Sequence, residues 1–183
     1  NYTLGVMDSL VSLARYNFVN RVINEKDSKV LDFGCGSGYG TKVLKEKFSN
    51  VDSYDEYPDG YLPEGITVNQ EFSTIPKQYY DIVTCFEVIE HMDENAQIAL
   101  MDNLKSFLKP NGTLFISTVR KMDPAPTENR KIEHIRELTF NELYDFCKDR
   151  FNNVYTFGQI DQVISTFYPE NHYHFVFICS GLK

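Results

Sequence analysis

Carboxylates and imidazoles stand close together in the stretch EVIEH, residues 87–91. Glu87, Glu90 and His91 are at positions i, i+3 and i+4, which share one face of a helical turn. Together with His134 they offer oxygen and imidazole ligands, a set that suits a divalent metal such as Mg²⁺ or Mn²⁺. Imidazole also titrates near neutral pH, so His91 and His134 are candidate general bases. Either histidine alone is equally compatible with a local capping or core role.

A second chemical feature is the glycine turn KVLDFGCGSGYG, residues 29–40. Repeated glycines indicate that a ligand or a packed helix approaches this backbone closely. Tyr39 stands where a nicotinamide fingerprint that begins at Gly34 requires glycine, and no Lys-Ser/Thr pair completes a phosphate loop. The carboxylate of Asp32 would repel a pyrophosphate. The turn therefore favours a ligand that carries positive charge.

Strands and helices alternate along the chain, which predicts a mostly parallel sheet covered on both faces. Helices are predicted over residues 8–24, with Asp8 or Ser9 as N-cap, then 41–48, 94–108 and 140–150, the last two capped by Asp93 and by a Thr139/Glu142 capping box. Strands are predicted over residues 29–33, 51–55, 66–70, 80–86, 113–119, 153–157 and 173–179. Because ligands of such sheets bind at the carboxyl ends of the strands, the glycine turn, Asp55, Glu71 and residues 85–91 should converge on one cleft.

The connection after the second strand is unusually short. Residues 56–65, EYPDGYLPEG, contain two prolines and two glycines and leave no room for the usual crossover helix. One wall of the predicted cleft should therefore differ from the common pattern.

Composition narrows the function classes. A chain of 183 residues with 42% apolar residues fits one domain over residues 1–183. The formal net charge of −8 disfavours a polyanionic partner such as nucleic acid and favours a small-molecule substrate. The four scattered cysteines should be reduced. With neither a signal peptide nor an apolar membrane span evident, we expect a cytoplasmic protein without membrane partners.

The stretch VLDFGCGSGYG resembles motif I of the class I S-adenosylmethionine-dependent methyltransferases, especially the bacterial small-molecule enzymes and the ubiquinone-pathway O-methyltransferases. The resemblance extends through YYDIVTCFEVIEHM, LKPNGTLFIST and KIEHIRELTFNEL. It implies a Rossmann-like three-layer α/β sandwich, whose seven-stranded, mostly parallel sheet ends in an antiparallel C-terminal strand. It also implies S-adenosylmethionine as cofactor, an N-terminal helix that approaches it, and a cap loop at about residues 120–136.

The resemblance also assigns residues to the cofactor. Asp55 would accept both ribose hydroxyls, Glu71 the adenine amino hydrogen, and Phe72 would flank the ring. The methionine end would be lined by the motif I residues, the end of the fourth strand and the N-terminal helix: Asp32, Gly34, Cys35, Gly36, Gly38, Cys85, Phe86, Arg15 and Tyr16. A divalent metal at Glu87, Glu90, His91 and His134 is implied by the small-RNA and ubiquinone-pathway relatives.

These observations predict methyl transfer from S-adenosylmethionine to an oxygen, rather than a nitrogen, of a small molecule. Arg120, Lys121, Arg130 and Lys131 flank the cap loop and suit an anionic acceptor such as a sugar phosphate or nucleotide-linked metabolite, or are ordinary solvated charges. Two alternatives stay open. One is a metal-dependent RNA 3′-terminal 2′-O-methyltransferase, and the other is a non-catalytic cofactor-binding subunit or sensor.

Overall fold

The computed structural model describes residues 6–58, 60–124 and 127–183. The strands are β1 (Lys29–Phe33), β2 (Asn50–Tyr54), β3 (Tyr80–Phe86), β4 (Leu108–Val119), β5 (Phe151–Ile160), β6 (Val163–Ser165) and β7 (His174–Leu182). The helices are α1 (Val6–Val22), α2 (Tyr39–Lys45), α3 (Glu94–Phe107), α4 (Glu128–Glu133) and α5 (Phe140–Arg150). No helix within these described ranges has the length and apolarity to cross a membrane.

All seven strands form one sheet in the order β2-β1-β3-β4-β7-β5-β6. Strands β1 to β4 pair in parallel, while β7 lies antiparallel between β4 and β5, and β6 is antiparallel to β5. The predicted α/β fold, with a mostly parallel sheet and an antiparallel C-terminal strand, is confirmed.

Helices cover both faces of the sheet because successive apolar residues of the parallel strands point alternately into two cores, one on each face. Leu31 belongs to the core under α3 and α5, whereas Val30 points to the opposite core under α1 and α2. Asp32, on the same face as Val30, is fully buried among these apolar layers. The parallel strands thereby bring their carboxyl ends to one edge.

Local signals fix most helix boundaries. Asp93 accepts a hydrogen bond from the backbone N–H of Ala96 at 2.9 Å and starts α3, and the capping box of Thr139 and Glu142 starts α5. The predicted cap of the first helix is wrong because α1 already begins at Val6. Helix α2 begins at Tyr39, directly after the left-handed Gly38, and ends earlier than predicted.

The described residues of the connection between β2 and β3 contain no α-helix, as the composition of residues 56–65 predicted, and they include one 3-10 turn, Phe72–Thr74. The predicted strand over residues 66–70 is wrong. Only Asn69 forms a parallel bridge, with Tyr54. The Asn69 side chain instead bonds the Thr74 hydroxyl and the backbone N–H of Glu71, and such local bonds compete with a ladder.

The C-terminal part contains two short elements that the sequence patterns missed. Helix α4 lies inside the predicted cap, of which residues 125 and 126 fall outside the described residues, and β6 forms a hairpin with β5. Helix α4 and strand β6 are both short, so hydrophobic periodicity carries little information there.

Strand β4 begins at Leu108, before its predicted start, with a register shift opposite Tyr80 and Ile82.

Candidate active site

A cavity of about 930 Å³ opens at the carboxyl ends of β1, β2 and β3. The glycine turn forms its floor, the segment around Glu71 forms one wall, and the start of α3 forms the other. Its lining includes Phe33, Gly34, Gly36, Tyr54, Asp55, Glu56, Tyr57, Gln70, Glu71, Phe72, Glu87, Val88, His91 and Met92. The four stretches expected to converge do meet here.

Two glycines of the turn are required for different reasons. Both Gly34 (φ +75°) and Gly36 (φ +52°) adopt left-handed conformations that disfavour other residues. A Cβ atom on Gly34 would lie 2.3 Å from Cγ2 of Val88, so the protein itself occupies that space. Apart from its two chain neighbours, no described residue has an atom within 4 Å of such a Cβ on Gly36, and this glycine belongs to the cavity lining. Only Gly36 leaves its space free for a ligand.

Asp55 follows β2 and is tied to the glycine turn. Its Oδ2 accepts a hydrogen bond from the backbone N–H of Gly36 at 2.7 Å, and its Oδ1 accepts one from Tyr57 at 2.9 Å. Two backbone donors therefore fix the orientation of this carboxylate at the cavity wall. Each oxygen has a further lone pair that can accept from a ligand hydroxyl.

Glu71 and Phe72 form the far end of the cavity. The Glu71 carboxylate accepts from the Ser73 hydroxyl at 2.7 Å and caps the 3-10 turn, and this bond lowers its pKa. Phe72 packs edge-on against Tyr54 and Phe107 and leaves 39% of its surface exposed. An apolar ring face and an anionic acceptor thus lie side by side.

Glu90, His91 and His134 come together where the β3 turn meets the cap. One ligand atom from each lies within 4.8 Å of the other two, and the two imidazole rings are 5.1 Å apart in an edge-to-face arrangement. His91 belongs to the cavity lining, so this cluster adjoins the cavity. One carboxylate and two imidazoles are a donor set that divalent transition metals accept.

The sequence of this chain is similar to those of known methyltransferases. The family model described as a methyltransferase domain matches residues 10–161. The chain belongs to the methyltransferase-domain family. This domain is 34% identical over 123 residues to ubiquinone biosynthesis O-methyltransferase of Rickettsia canadensis, covering 61% of the chain and 49% of the relative. The match to the enzyme of that name from Haemophilus ducreyi is 25% over 130 residues, covering 61% and 54%. The chain thus spans about half the length of these relatives.

Solved structures share the fold of the methyltransferase domain. One is a Burkholderia thailandensis 1,6-didemethyltoxoflavin-N1-methyltransferase with bound 1,6-didemethyltoxoflavin and S-adenosylhomocysteine (TM-score 0.68, 15% identity, covering 100% of this chain and 93% of that one). Another is the small RNA methyltransferase HEN1 (TM-score 0.69, 20% identity, covering 93% and 25%). The TM-scores show that this chain shares the fold of both methyltransferases.

Several residues predicted to contact the cofactor do not line the cavity of the methyltransferase domain. Asp32 accepts hydrogen bonds from the hydroxyls of Thr41 at 2.6 Å and Thr84 at 2.8 Å, and it is enclosed behind the turn. Burial raises its pKa to about 6, against the lowering effect of these hydroxyls. Also absent from the lining, and all buried, are Arg15, Tyr16, Cys35, Gly38, Cys85 and Phe86.

The predicted alignment of Glu87 with Glu90 and His91 on one helical face is wrong. Glu87 has a left-handed φ of +55°, and only Ile89–His91 form a 3-10 helix, so Glu87 points elsewhere. Its carboxylate accepts from the Ser117 hydroxyl at 2.6 Å and lies 3.8 Å from Arg15 Nη1 and 3.5 Å from His174 Nε2. The structure therefore separates it from the Glu90, His91 and His134 cluster.

The pKa values of the neighbouring carboxylates Glu87 and Glu90 are shifted in opposite directions. Burial alone would raise the pKa of Glu87, but Arg15, His174 and Ser117 outweigh it and hold that pKa low. Glu90 is 1% exposed, and burial followed by the charge of Glu87 raises its pKa well above the usual value, although Thr118 donates to it at 2.9 Å. Glu87 is thus the more acidic member of the pair.

His174, Ser117 and Gln159 are parts of this region that the sequence analysis missed. Gln159 accepts from Arg15 at 2.9 Å and is fully buried, while His174 is mostly buried, which lowers its pKa despite the nearby Glu87 carboxylate. Ser117 lies on β4, Gln159 on β5 and His174 on β7, and none of the three belongs to a sequence motif. The pairing of β7 with β4 and β5 brings these three residues to the region of Arg15 and Glu87.

Proposed function

We propose that this methyltransferase domain transfers a methyl group from S-adenosylmethionine to an oxygen of a small molecule. The observation that carries the proposal is that one cavity is lined by both the Asp55–Gly36 pair and His91, whose ring lies 5.1 Å from the ring of His134. The first suits the donor, and the second suits an acceptor hydroxyl.

The cofactor would lie along the floor of the cavity. Asp55 would accept the ribose hydroxyls, Glu71 would accept from the adenine amino group, and Phe72 would contact the ring face. The backbone at Gly36 borders open space, so the methionine end can approach it closely. Asp32 would act from behind, through Thr41 at the start of α2, instead of by ligand contact.

Transfer is an in-line displacement. The acceptor oxygen forms a bond to the methyl carbon as the carbon–sulfur bond breaks, the electron pair stays on sulfur, and the sulfonium charge is lost. The hydroxyl proton would pass to Nε2 of His91 or His134. In each ring Nδ1 is the nitrogen that bonds a protein oxygen, the Glu133 carbonyl for His91 and the Glu137 carboxylate for His134. The protein otherwise needs to align the groups and exclude water.

The relatives support oxygen as the acceptor atom because they are named ubiquinone biosynthesis O-methyltransferases. An anionic sugar or nucleotide acceptor has weaker support. The charge of Arg130 is already paired with Glu137, and Arg120 donates to the Asn171 carbonyl at 3.1 Å. We therefore favour a neutral or weakly charged acceptor.

The test is to incubate the protein with methyl-labelled S-adenosylmethionine and separated small-molecule, RNA and protein fractions of a cell extract. We expect label in the small-molecule fraction in a form that hydriodic acid releases as methyl iodide under conditions that cleave methyl ethers but leave N-methyl groups intact. The Asp55→Asn variant is the control for cofactor-dependent transfer. Label in RNA, or binding of the cofactor without any transfer, would contradict the proposal.

A second candidate is a metal-dependent RNA 3′-terminal 2′-O-methyltransferase. The Glu90, His91 and His134 cluster favours it, because one carboxylate and two imidazoles fit a divalent ion that would polarise an acceptor oxygen. The net charge of −8 speaks against it. This function predicts activity that is lost on chelation, restored by Mn²⁺ or Mg²⁺, and accompanied by RNA binding that weakens steeply with salt.

A further inference from the structure

The cap segment, residues 120–137, holds one nitrogen of each histidine. Nδ1 of His91 lies 2.9 Å from the backbone carbonyl of Glu133, and Nδ1 of His134 lies 2.7 Å from Oε1 of Glu137. A carbonyl or carboxylate oxygen can only accept, so Nδ1 is the protonated nitrogen of each ring when that ring is neutral. Each Nε2 is then left with its lone pair for a proton or a metal.

Glu137 is the junction of these contacts. Its carboxylate accepts from Nε of Arg130, from Nδ1 of His134 and, at 3.1 Å, from the backbone N–H of Met122. The side chain is only 9% exposed. Three donors on one shielded carboxylate hold it in a single position, and through it they hold His134.

Arg130 connects this junction to the sheet. Its guanidinium donates to the Arg120 carbonyl at 2.7 Å and to the Tyr173 hydroxyl, and it lies over the Tyr173 ring at 5.0 Å. Arg120 follows β4, and Tyr173 precedes β7. The Glu137 carboxylate therefore both attaches the cap segment to the sheet, through Arg130, and holds His134 in position.

We propose that Glu137 is a positioning residue that fixes His134 as the Nδ1–H tautomer and directs Nε2 to the site formed with Glu90 and His91. The proposal rests on the proposed function for its catalytic consequence, but the orientation itself can be measured without turnover. Removing a carboxylate that orients a functional histidine typically weakens activity or metal affinity 10–100-fold.

The test compares four variants. Glu137→Ala removes the acceptor, and Glu137→Gln keeps an acceptor oxygen but loses the charge. Arg130→Met removes the ion pair while leaving the bond from His134 to Glu137. Glu128→Gln makes the same chemical change at an exposed residue of α4 and is the matched control. Circular dichroism and melting curves verify that each variant is folded.

The deciding readout is the tautomer of His134, from nitrogen-15 shifts of its ring by nuclear magnetic resonance. We expect the Nδ1–H form in the unmodified protein, Glu128→Gln and Arg130→Met, a mixture in Glu137→Ala, and partial retention in Glu137→Gln. Methyl transfer should fall 10–100-fold in Glu137→Ala through kcat, with the KM for S-adenosylmethionine nearly unchanged, and less in Glu137→Gln.

Two results would overturn the proposal. An unchanged His134 tautomer in folded Glu137→Ala would show that Glu137 does not orient the ring. An Arg130→Met variant that loses as much activity as Glu137→Ala, with the tautomer intact, would assign Glu137 to cap docking alone. If the unmodified protein transfers no methyl group, the proposed function fails while the tautomer measurement still decides the positioning role.

Discussion

The hydroxyl of Thr84 on β3 donates a hydrogen bond to the carboxylate of Asp32 on β1, over a distance of 2.8 Å. The two residues are register partners in the parallel sheet. Thr41, on α2, donates to the other oxygen, so each oxygen of the carboxylate accepts a hydrogen bond behind the glycine turn. Asp32 therefore links two strands and a helix beneath the cavity.

The first prediction concerns the dependence of stability on pH. The folded pKa of Asp32, about 6, exceeds its unfolded value of 3.8, so the folded state binds this proton more tightly. Its contribution to the free energy of unfolding then falls as pH rises from 4 to 7, by roughly 3 kcal/mol. Asp32→Asn should gain stability relative to the unmodified protein over that window, measured by urea unfolding. The exposed Asp27→Asn is the control, and parallel pH curves for Asp32→Asn would contradict the prediction.

The second prediction separates two glycines of the turn. The methyl group added by Gly36→Ala would face open space, so the free energy of unfolding should fall by only about 1–2 kcal/mol, because alanine disfavours the positive φ. Its methyl group should nevertheless weaken S-adenosylmethionine binding at least tenfold in calorimetry. Gly34→Ala, by contrast, should be destabilised by roughly 2–4 kcal/mol because its Cβ meets Val88. Normal cofactor affinity in Gly36→Ala would place the ligand elsewhere.

The third prediction addresses the charge of Asp55. An asparagine there can still accept from the backbone N–H of Gly36, so the turn should keep its shape. Loss of charge-assisted bonds to two hydroxyls should weaken cofactor binding about 10–100-fold. Calorimetry with S-adenosylhomocysteine measures this, and Asp27→Asn again serves as control. Equal affinities of Asp55→Asn and the control would remove Asp55 from the ribose site.

The fourth prediction concerns the histidine pair. If either imidazole takes the acceptor proton, His91→Gln or His134→Gln should lower kcat by roughly 10²–10⁴-fold while cofactor affinity stays within a few-fold. Single-turnover methyl transfer and calorimetry together measure the two quantities. His172→Gln is a matched control, since the His172 ring bonds the Tyr168 carbonyl at 2.9 Å outside the cluster. Full activity in both site variants would exclude a histidine base.

The sequence determined the sheet and the main cavity residues because their signals are local. Apolar strands, the Asp93 cap, the capping box at Thr139 and the glycine turn each depend on neighbours a few residues away. Parallel topology then requires strand ends to meet at one edge, which placed Asp55, Glu71 and His91 around one cavity. The missing crossover helix was also predictable, from the prolines and glycines of residues 56–65.

Tertiary structure alone decided where the charged side chains point. Asp32 has a sequence position that suits a ligand, yet the hydroxyls of Thr41 and Thr84 bind its carboxylate behind the glycine turn. Glu87 does line the cavity, but the Ser117 hydroxyl on the adjacent strand orients its carboxylate. His174 reaches Glu87 only because β7 inserts antiparallel beside β4. Spacing along a chain fixes which residues share a helix or strand. The partners of a buried charge depend on strand order and register, since desolvation makes the nearest donor from any element decisive.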